Sequence, residues 1–161
     1  MNTWDNGIRG KPGKGMSHTL SFGGVASFFR VPYQIEMVDV DVVVTGVPFD
    51  IATTNRSGAR LGPRAIRNAS LSLAWERPWP WPIDPMAALR IIDCGDCEPP
   101  DDDLLSISHI EKHIAAIVNS GAAALILGGD HFIAYPSLRA HANTYGPISL
   151  IHFDAHTDTW P

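Results

Sequence analysis

Four stretches of the chain are apolar almost without interruption: DVDVVVTGVPFD (39–50), LRIIDCGD (89–96), AAALILGGD (122–130) and ISLIHFD (148–154). None alternates as a strand with one wet face does, so each is predicted to be a strand buried on both sides. Val42, Val43 and Val44 form a β-branched run closed by Gly46 and Pro48, a strong strand signal. Elsewhere the period changes. In SISHIEKHIAAIVNSG, Ile107, Ile110, Ile114, Ile117 and Val118 recur at steps of mostly three and four, with Ser106 placed to cap and Gly121 to end a helix. FIAYPSLRAHANTYG is predicted helical as well, with Pro136 in a first turn or at a kink. GPRAIRNASLSLAW opens on Pro63 after Gly62, a helix-starting proline. Buried strands alternating with helices predict an α/β protein of three layers, α/β/α, with a mainly parallel sheet.

The first residues break this pattern. They are rich in Gly, with Lys11 and Lys14 among them, and residues 1–20 are predicted to be a flexible tail. SFGGVASFFRVP follows, where Phe22, Phe28 and Phe29 are placed to pin an arm onto the body. Residues 21–161 show no internal repeat and no low-complexity linker, so they read as part of one domain. Trp75, Trp79 and Trp81 interleave with Pro78, Pro80 and Pro82 in a rigid apolar loop, expected to cover the core or an oligomer interface.

Composition narrows the function. The 161 residues are 45% hydrophobic and carry a formal charge of −5, which gives no basic footprint for nucleic acid or an anionic membrane. The N-terminus has no apolar signal region and no apolar run reaches membrane-spanning length. A cytoplasmic protein is expected. Cys94 and Cys97 form a C-x-x-C pair, but two thiolates are half of a structural zinc site, and prolines rather than a helix follow them. A buried thiol at a strand end and a second in the loop is the expectation; a redox pair would require both to be exposed and reactive.

The chemistry collects where strands end. In an open parallel sheet, ligands gather outside the carboxyl ends of the strands. The third strand runs into Gly128, Gly129, Asp130 and His131, and the fourth into Asp154, His156 and Asp158. If those strands are neighbours, His131 converges with the Asp154–Asp158 group. Carboxylates crowded there raise one another's pKa and are costly unpaired. The motif holds no Lys or Arg, so a divalent cation is the expected partner. Mixed oxygen and nitrogen donors favour Mn²⁺, Fe²⁺, Co²⁺ or Zn²⁺. His152, between Ile151 and Phe153, is expected to be a packed strand residue. His18, His109, His113 and His141 are placed in the tail or on helix surfaces.

LGGDHF (127–132) and IHFDAHTD (151–158) resemble two signature motifs of the ureohydrolase (arginase/agmatinase) family. SFGGVASFFRVP, TGVPFDIATTNRSGARLGPRAIRNAS, LAWERPWPWPID and IIDCGD are similar, in order, to its agmatinase branch. The resemblance implies an arginase-like α/β/α fold, truncated here, with 21–161 the N-terminal part of a single ureohydrolase domain. It implies two Mn²⁺ per complete active site, His131 and Asp158 binding one, His156 the other and Asp154 bridging both. It further implies that a bridging hydroxide attacks the guanidino carbon of agmatine to give putrescine and urea, with Asp158 a catalytic partner of that hydroxide. Guanidinobutyrate or guanidinopropionate are alternative substrates. Asp130 matches no ligand position and is expected to orient neighbours. Asn55 and Arg56 lie in the family's loop near the active-site mouth and are candidates to touch substrate, although an exposed polar loop leading into a helix is the preferred account of them. The resemblance also implies a homo-oligomer, trimer or hexamer, at full length. The family's later signature, S-x-D-x-D-x-x-D-P, does not occur in these 161 residues. Weak metal affinity and little catalysis are therefore expected of the chain by itself, or else a non-catalytic half-domain that binds metal or partners.

Overall fold

The computed structural model describes residues 23–74, 80–98 and 105–158. The expectations for the 1–20 tail, Phe22, Trp75, Pro78 and Trp79 lie outside them. Three strands form, β1 (Val42–Val47), β2 (Ile91–Asp96) and β3 (Ala123–Gly128), in the order β2-β1-β3 and all parallel. The helices are α1 (Gly62–Ser70), the short α2 (Pro85–Ala88), α3 (Ile107–Asn119) and α4 (Ala134–Tyr145).

The register fixes which side chains face which layer. Val43 sits opposite Ile92, and Val44 opposite Asp93. Val43, Val47 and Ile92 pack with Ile110, Ile114 and Ile117 of α3 in one buried cluster. Each of those three isoleucines is wholly buried, a contribution of roughly 1.5–3 kcal/mol apiece. Asp93 points to the opposite face, where Arg67 of α1 meets it. Two helices on two faces of a parallel sheet give the three layers predicted.

Helix ends follow the signals read from the chain. The Ser106 hydroxyl accepts from the His109 N–H at 3.3 Å, and the chain leaves α3 through Gly121 at φ +87°. Pro63 opens α1. Pro136 lies in the first turn of α4, where a missing N–H costs no intrahelical bond. α4 lies along α3, tied by Arg139 Nε to Glu111 (3.2 Å) and Asn143 Nδ2 to Glu111 (2.9 Å). The arm is tied to the body through its backbone: Phe28 N–H donates to Asp93 and Phe29 N–H to the Ser70 hydroxyl, both at 2.8 Å.

One predicted element is absent. Residues 148–153 form no strand among the described residues. Ile151 is 82% exposed and Phe153 95%. A strand exists by pairing and by having its faces covered, and nothing described does either for this segment. β3 shows the same lack: Ala123 and Leu125 are exposed where burial on both sides was predicted.

Candidate metal centre

The chain runs from β1 out to β2, then back past β1 to β3. The direction reverses between β1 and β3, and the crevice at their carboxyl ends is where such sheets bind ligands. Two loops meet there. Gly129, at φ +33°, lies so close to the β1 exit that a Cβ would come within 2.5 Å of the Val47 carbonyl and 2.6 Å of that of Phe49. Only glycine fits. Gly62, opening α1, is pressed against the Gly128 carbonyl in the same way. Asp130 then closes the joint. Its N–H donates to Phe49 O (2.8 Å), Oδ2 accepts from Ala52 N–H (3.0 Å), and Oδ1 accepts from Phe132 N–H (3.0 Å). Its carboxylate fixes the single turn His131–Ile133 that presents His131.

Four side chains converge at this point. Nitrogens of His131 and His152 and oxygens of Asp154 and Asp158 all lie within 4.8 Å of one another. His131 Nε2 is 2.8 Å from Asp158 Oδ2, and its Nδ1 is 3.7 Å from Asp154 Oδ2. His152 Nε2 is 3.6 Å from Asp154 Oδ2 and 3.9 Å from Asp158 Oδ2. The rings of His131 and His152 stack with centroids 5.3 Å apart. Asp154 folds back on its own chain, Oδ1 accepting from His156 N–H at 2.9 Å. That bond holds its carboxyl below the usual range against partial burial, and the neighbouring imidazoles add to it.

Sequence reasoning placed His156 among the ligands and His152 in packing. The structure brings His152 into the group and leaves His156 at its edge, Nδ1 3.5 Å from Asp154 Oδ1 and the side chain 79% exposed. A period of two holds only along an extended strand. Here the chain turns at Asp154, and Asp158 adopts φ +49°, so the four alternate residues no longer share a face. Asn55 and Arg56 are exposed in the loop after β1. Among the described residues no hydrogen bond or ion pair joins either to the four-residue group. That loop is braced by Asp50, itself 2% exposed, which binds Arg60 Nε (2.7 Å) and the Gly58 N–H (2.7 Å).

Two buried features escaped sequence reasoning. Arg67 forks onto Asp93 (Nε–Oδ2 2.7 Å, Nη2–Oδ1 2.9 Å) and also binds Asp96 and the Gly95 carbonyl. Burial alone pulls the guanidinium pKa down, but hydrogen bonds to the two aspartates outweigh it and raise the pKa above its ordinary value. The signal was present as an acid inside an apolar run, in IIDCGD, and a base on the same helical face as buried Pro63. His113, expected on a surface, pairs through Nε2 with the Thr45 hydroxyl at 2.8 Å, and burial lowers its pKa. Cys94 lies in β2 and Cys97 in the loop after it as expected, but the fully buried thiol is the loop one: Cys97 is pushed up to about 12, and burial raises the half-buried Cys94 too. Neither supplies a reactive thiolate.

A model of the arginase family matches residues 40–161. The chain belongs to the arginase family. It is 47% identical over 159 residues to an agmatinase from Chromobacterium violaceum, covering 98% of this chain and 49% of that protein. A crystal structure of a hypothetical agmatinase from Burkholderia thailandensis superposes with a TM-score of 0.82 at 53% identity, over 89% of this chain and 46% of the other. A formiminoglutamase from Trypanosoma cruzi, solved with Mn²⁺, shares the fold at TM-score 0.58 and 24% identity, over 66% and 36%. The chain spans about half the length of the curated relatives it matches. No described helix is long and apolar enough to cross a membrane.

Proposed function

We propose that this chain carries part of the active site of a Mn²⁺-dependent hydrolase that converts agmatine and water to putrescine and urea. The observation that carries the reading is the convergence of His131, His152, Asp154 and Asp158 at the sheet's reversal point, on a chain that resembles agmatinases along nearly its whole length. The donor set suits a divalent ion: among the described residues, the ion-pair partners of both aspartates are histidines. His131, Asp154, His156 and Asp158 are the proposed ligands. Asp154 has the disposition of a shared one, with Oδ2 toward His131 and Oδ1 toward His156.

Mn²⁺ at such a site supplies Lewis acidity and a nucleophilic water near neutral pH. The residues would supply the rest. The His156 N–H holds the Asp154 carboxyl below its usual range, and its negative charge lies where a cationic guanidinium must sit. Asp158, oriented by His131 at 2.8 Å, accepts a hydrogen bond from the attacking water and so aims it at the guanidino carbon. Addition there, rupture of the bond to the alkyl-bearing nitrogen and proton transfer to the departing amine leave urea. The assembled enzyme would be a cytoplasmic homo-oligomer, a reading supported by the family resemblance.

The test is urea release from agmatine with and without Mn²⁺, beside guanidinobutyrate and arginine. The expected result is Mn²⁺-dependent release, weak for this chain and fastest with agmatine. Urea that forms equally in EDTA, or Mn²⁺ that does not bind at all, would overturn the reading.

A further inference from the structure

Separate loops leave the carboxyl ends of β1 and β3, and one side chain joins them. His131–Ile133 is a single helical turn, too short to hold its own shape. Asp130 starts it: Oδ1 accepts from the Phe132 N–H at 3.0 Å, the bond of an N-cap. The other oxygen of the same carboxylate reaches across to the loop after β1, where Oδ2 accepts from the Ala52 N–H at 3.0 Å. Among the described residues, this is the hydrogen bond that ties residues 51–58 to the turn carrying His131. At its far end the loop is held by Asp50, which accepts from the Gly58 N–H at 2.7 Å. Residues 54–58 are exposed. Asp130 has little room to favour one partner over the other. Its own N–H is bonded to Phe49 O at 2.8 Å, and Gly129 before it is pressed against the Val47 and Phe49 carbonyls.

We propose that Asp130 is a positioning residue that couples the metal centre to the 51–58 loop, so that an ion on His131 orders the segment carrying Asn55 and Arg56. The inference rests on the reading of His131 as a metal ligand. Two N–H groups from two loops point at the two oxygens of one carboxylate. An amide in that place would turn its own NH2 on one of them. An ion held by His131 fixes the ring, and with it the turn and the Phe132 N–H. That N–H fixes Oδ1, and because the carboxylate is planar, Oδ2 is then aimed at Ala52. The coupling is reciprocal: whatever orders the loop, a guanidino substrate touching Asn55 or Arg56 included, tightens the ion by the same factor. A cap that served the turn alone would use one oxygen and leave Ala52 to water.

The experiment reads two quantities on the full 161-residue chain: Mn²⁺ affinity by titration calorimetry, and deuterium uptake of the 50–58 segment by mass spectrometry with and without saturating Mn²⁺. In the parent, Mn²⁺ should slow uptake in 50–58. Asp130→Asn separates the two bonds, since asparagine caps a turn as well as aspartate does but cannot accept from Ala52 at the same time. This variant should bind Mn²⁺ within a few-fold of the parent, while its loop exchanges faster without metal and no longer responds to it. Asp130→Ala loses both bonds and should also bind Mn²⁺ about tenfold more weakly; if it fails to fold, Asp130→Asn decides alone. A parent that binds Mn²⁺ with no change in 50–58, a metal response that survives in Asp130→Asn, or metal-free uptake equal in parent and variant would each overturn the coupling and leave the hydrolytic reading standing. A parent that binds no Mn²⁺ would overturn both.

Discussion

Asp154 offers its two carboxylate oxygens to different histidines, and that division separates the roles of three imidazoles. Oδ2 lies 3.7 Å from His131 and 3.6 Å from His152, while Oδ1 lies 3.5 Å from His156. His131 Nε2 also lies 2.8 Å from Asp158 Oδ2, so its removal strips two carboxylates of one partner. We expect His131→Ala to weaken Mn²⁺ binding most, by on the order of 10–100-fold, as read by titration calorimetry. His156→Ala should weaken it too if two ions bind, and then the calorimetric stoichiometry should fall from two to one. His152→Ala distinguishes packing from ligation: a stoichiometry halved by this variant and unchanged by His156→Ala would transfer the ligand role to His152. The choice between those histidines was not legible in the chain, because it turns on one backbone reversal at Asp154 that no hydrophobic pattern announces.

At the scale of elements, α1 is held to the sheet by charge rather than by grease. Its buried face is Pro63, Arg67 and Ser70, and Arg67 bonds to Asp93, Asp96 and the Gly95 carbonyl of β2. Arg67→Met keeps the volume but leaves Asp93 buried without its cation, which costs about 3–5 kcal/mol; a urea midpoint measures it. Arg67→Lys should recover only part, since an ammonium cannot span both carboxylates as the guanidinium fork does. The loop after β1 is held similarly. Arg60 beside Asp50, aided by the Gly58 N–H, holds that carboxyl at about 2, down from 3.8. A depressed folded pKa adds stability that is present above 3.8 and lost as pH falls toward 2. Asp50→Asn should therefore be less stable than the parent at pH 6, and the gap in urea midpoint should close between pH 4 and pH 2. A gap independent of pH would mean that shape and not charge holds the loop. β1, β2, β3, α1, α3 and α4 were legible because local apolar periodicity and cap residues mark them. The Arg67 clamp was visible only as misplaced charges, and its pairing belongs to the tertiary structure.

For the whole molecule, the same limit explains the missing fourth strand. ISLIHF has the composition of a buried strand, but pairing is supplied by neighbours, and the described residues place none beside it. The consequence is a molecule whose candidate centre joins two pieces unequally packed: His131 on a turn braced by Asp130 and Gly129, and 152–158 on a segment with Leu150 59% and Phe153 95% exposed. An ion held by both pieces must tie the second to the first. Ligand binding to the folded form alone stabilises it by RT ln(1 + [L]/Kd), about 2.7 kcal/mol at a hundredfold excess over Kd. Mn²⁺ should accordingly raise the thermal midpoint by several degrees and, more locally, slow chymotrypsin cleavage after Leu150 and Phe153. EDTA should reverse both effects, and His131→Ala should remove them. A midpoint that rises with Mn²⁺ as much in His131→Ala as in the parent would place the ion elsewhere, and protection confined to sites outside 148–158 would separate the ion from that segment.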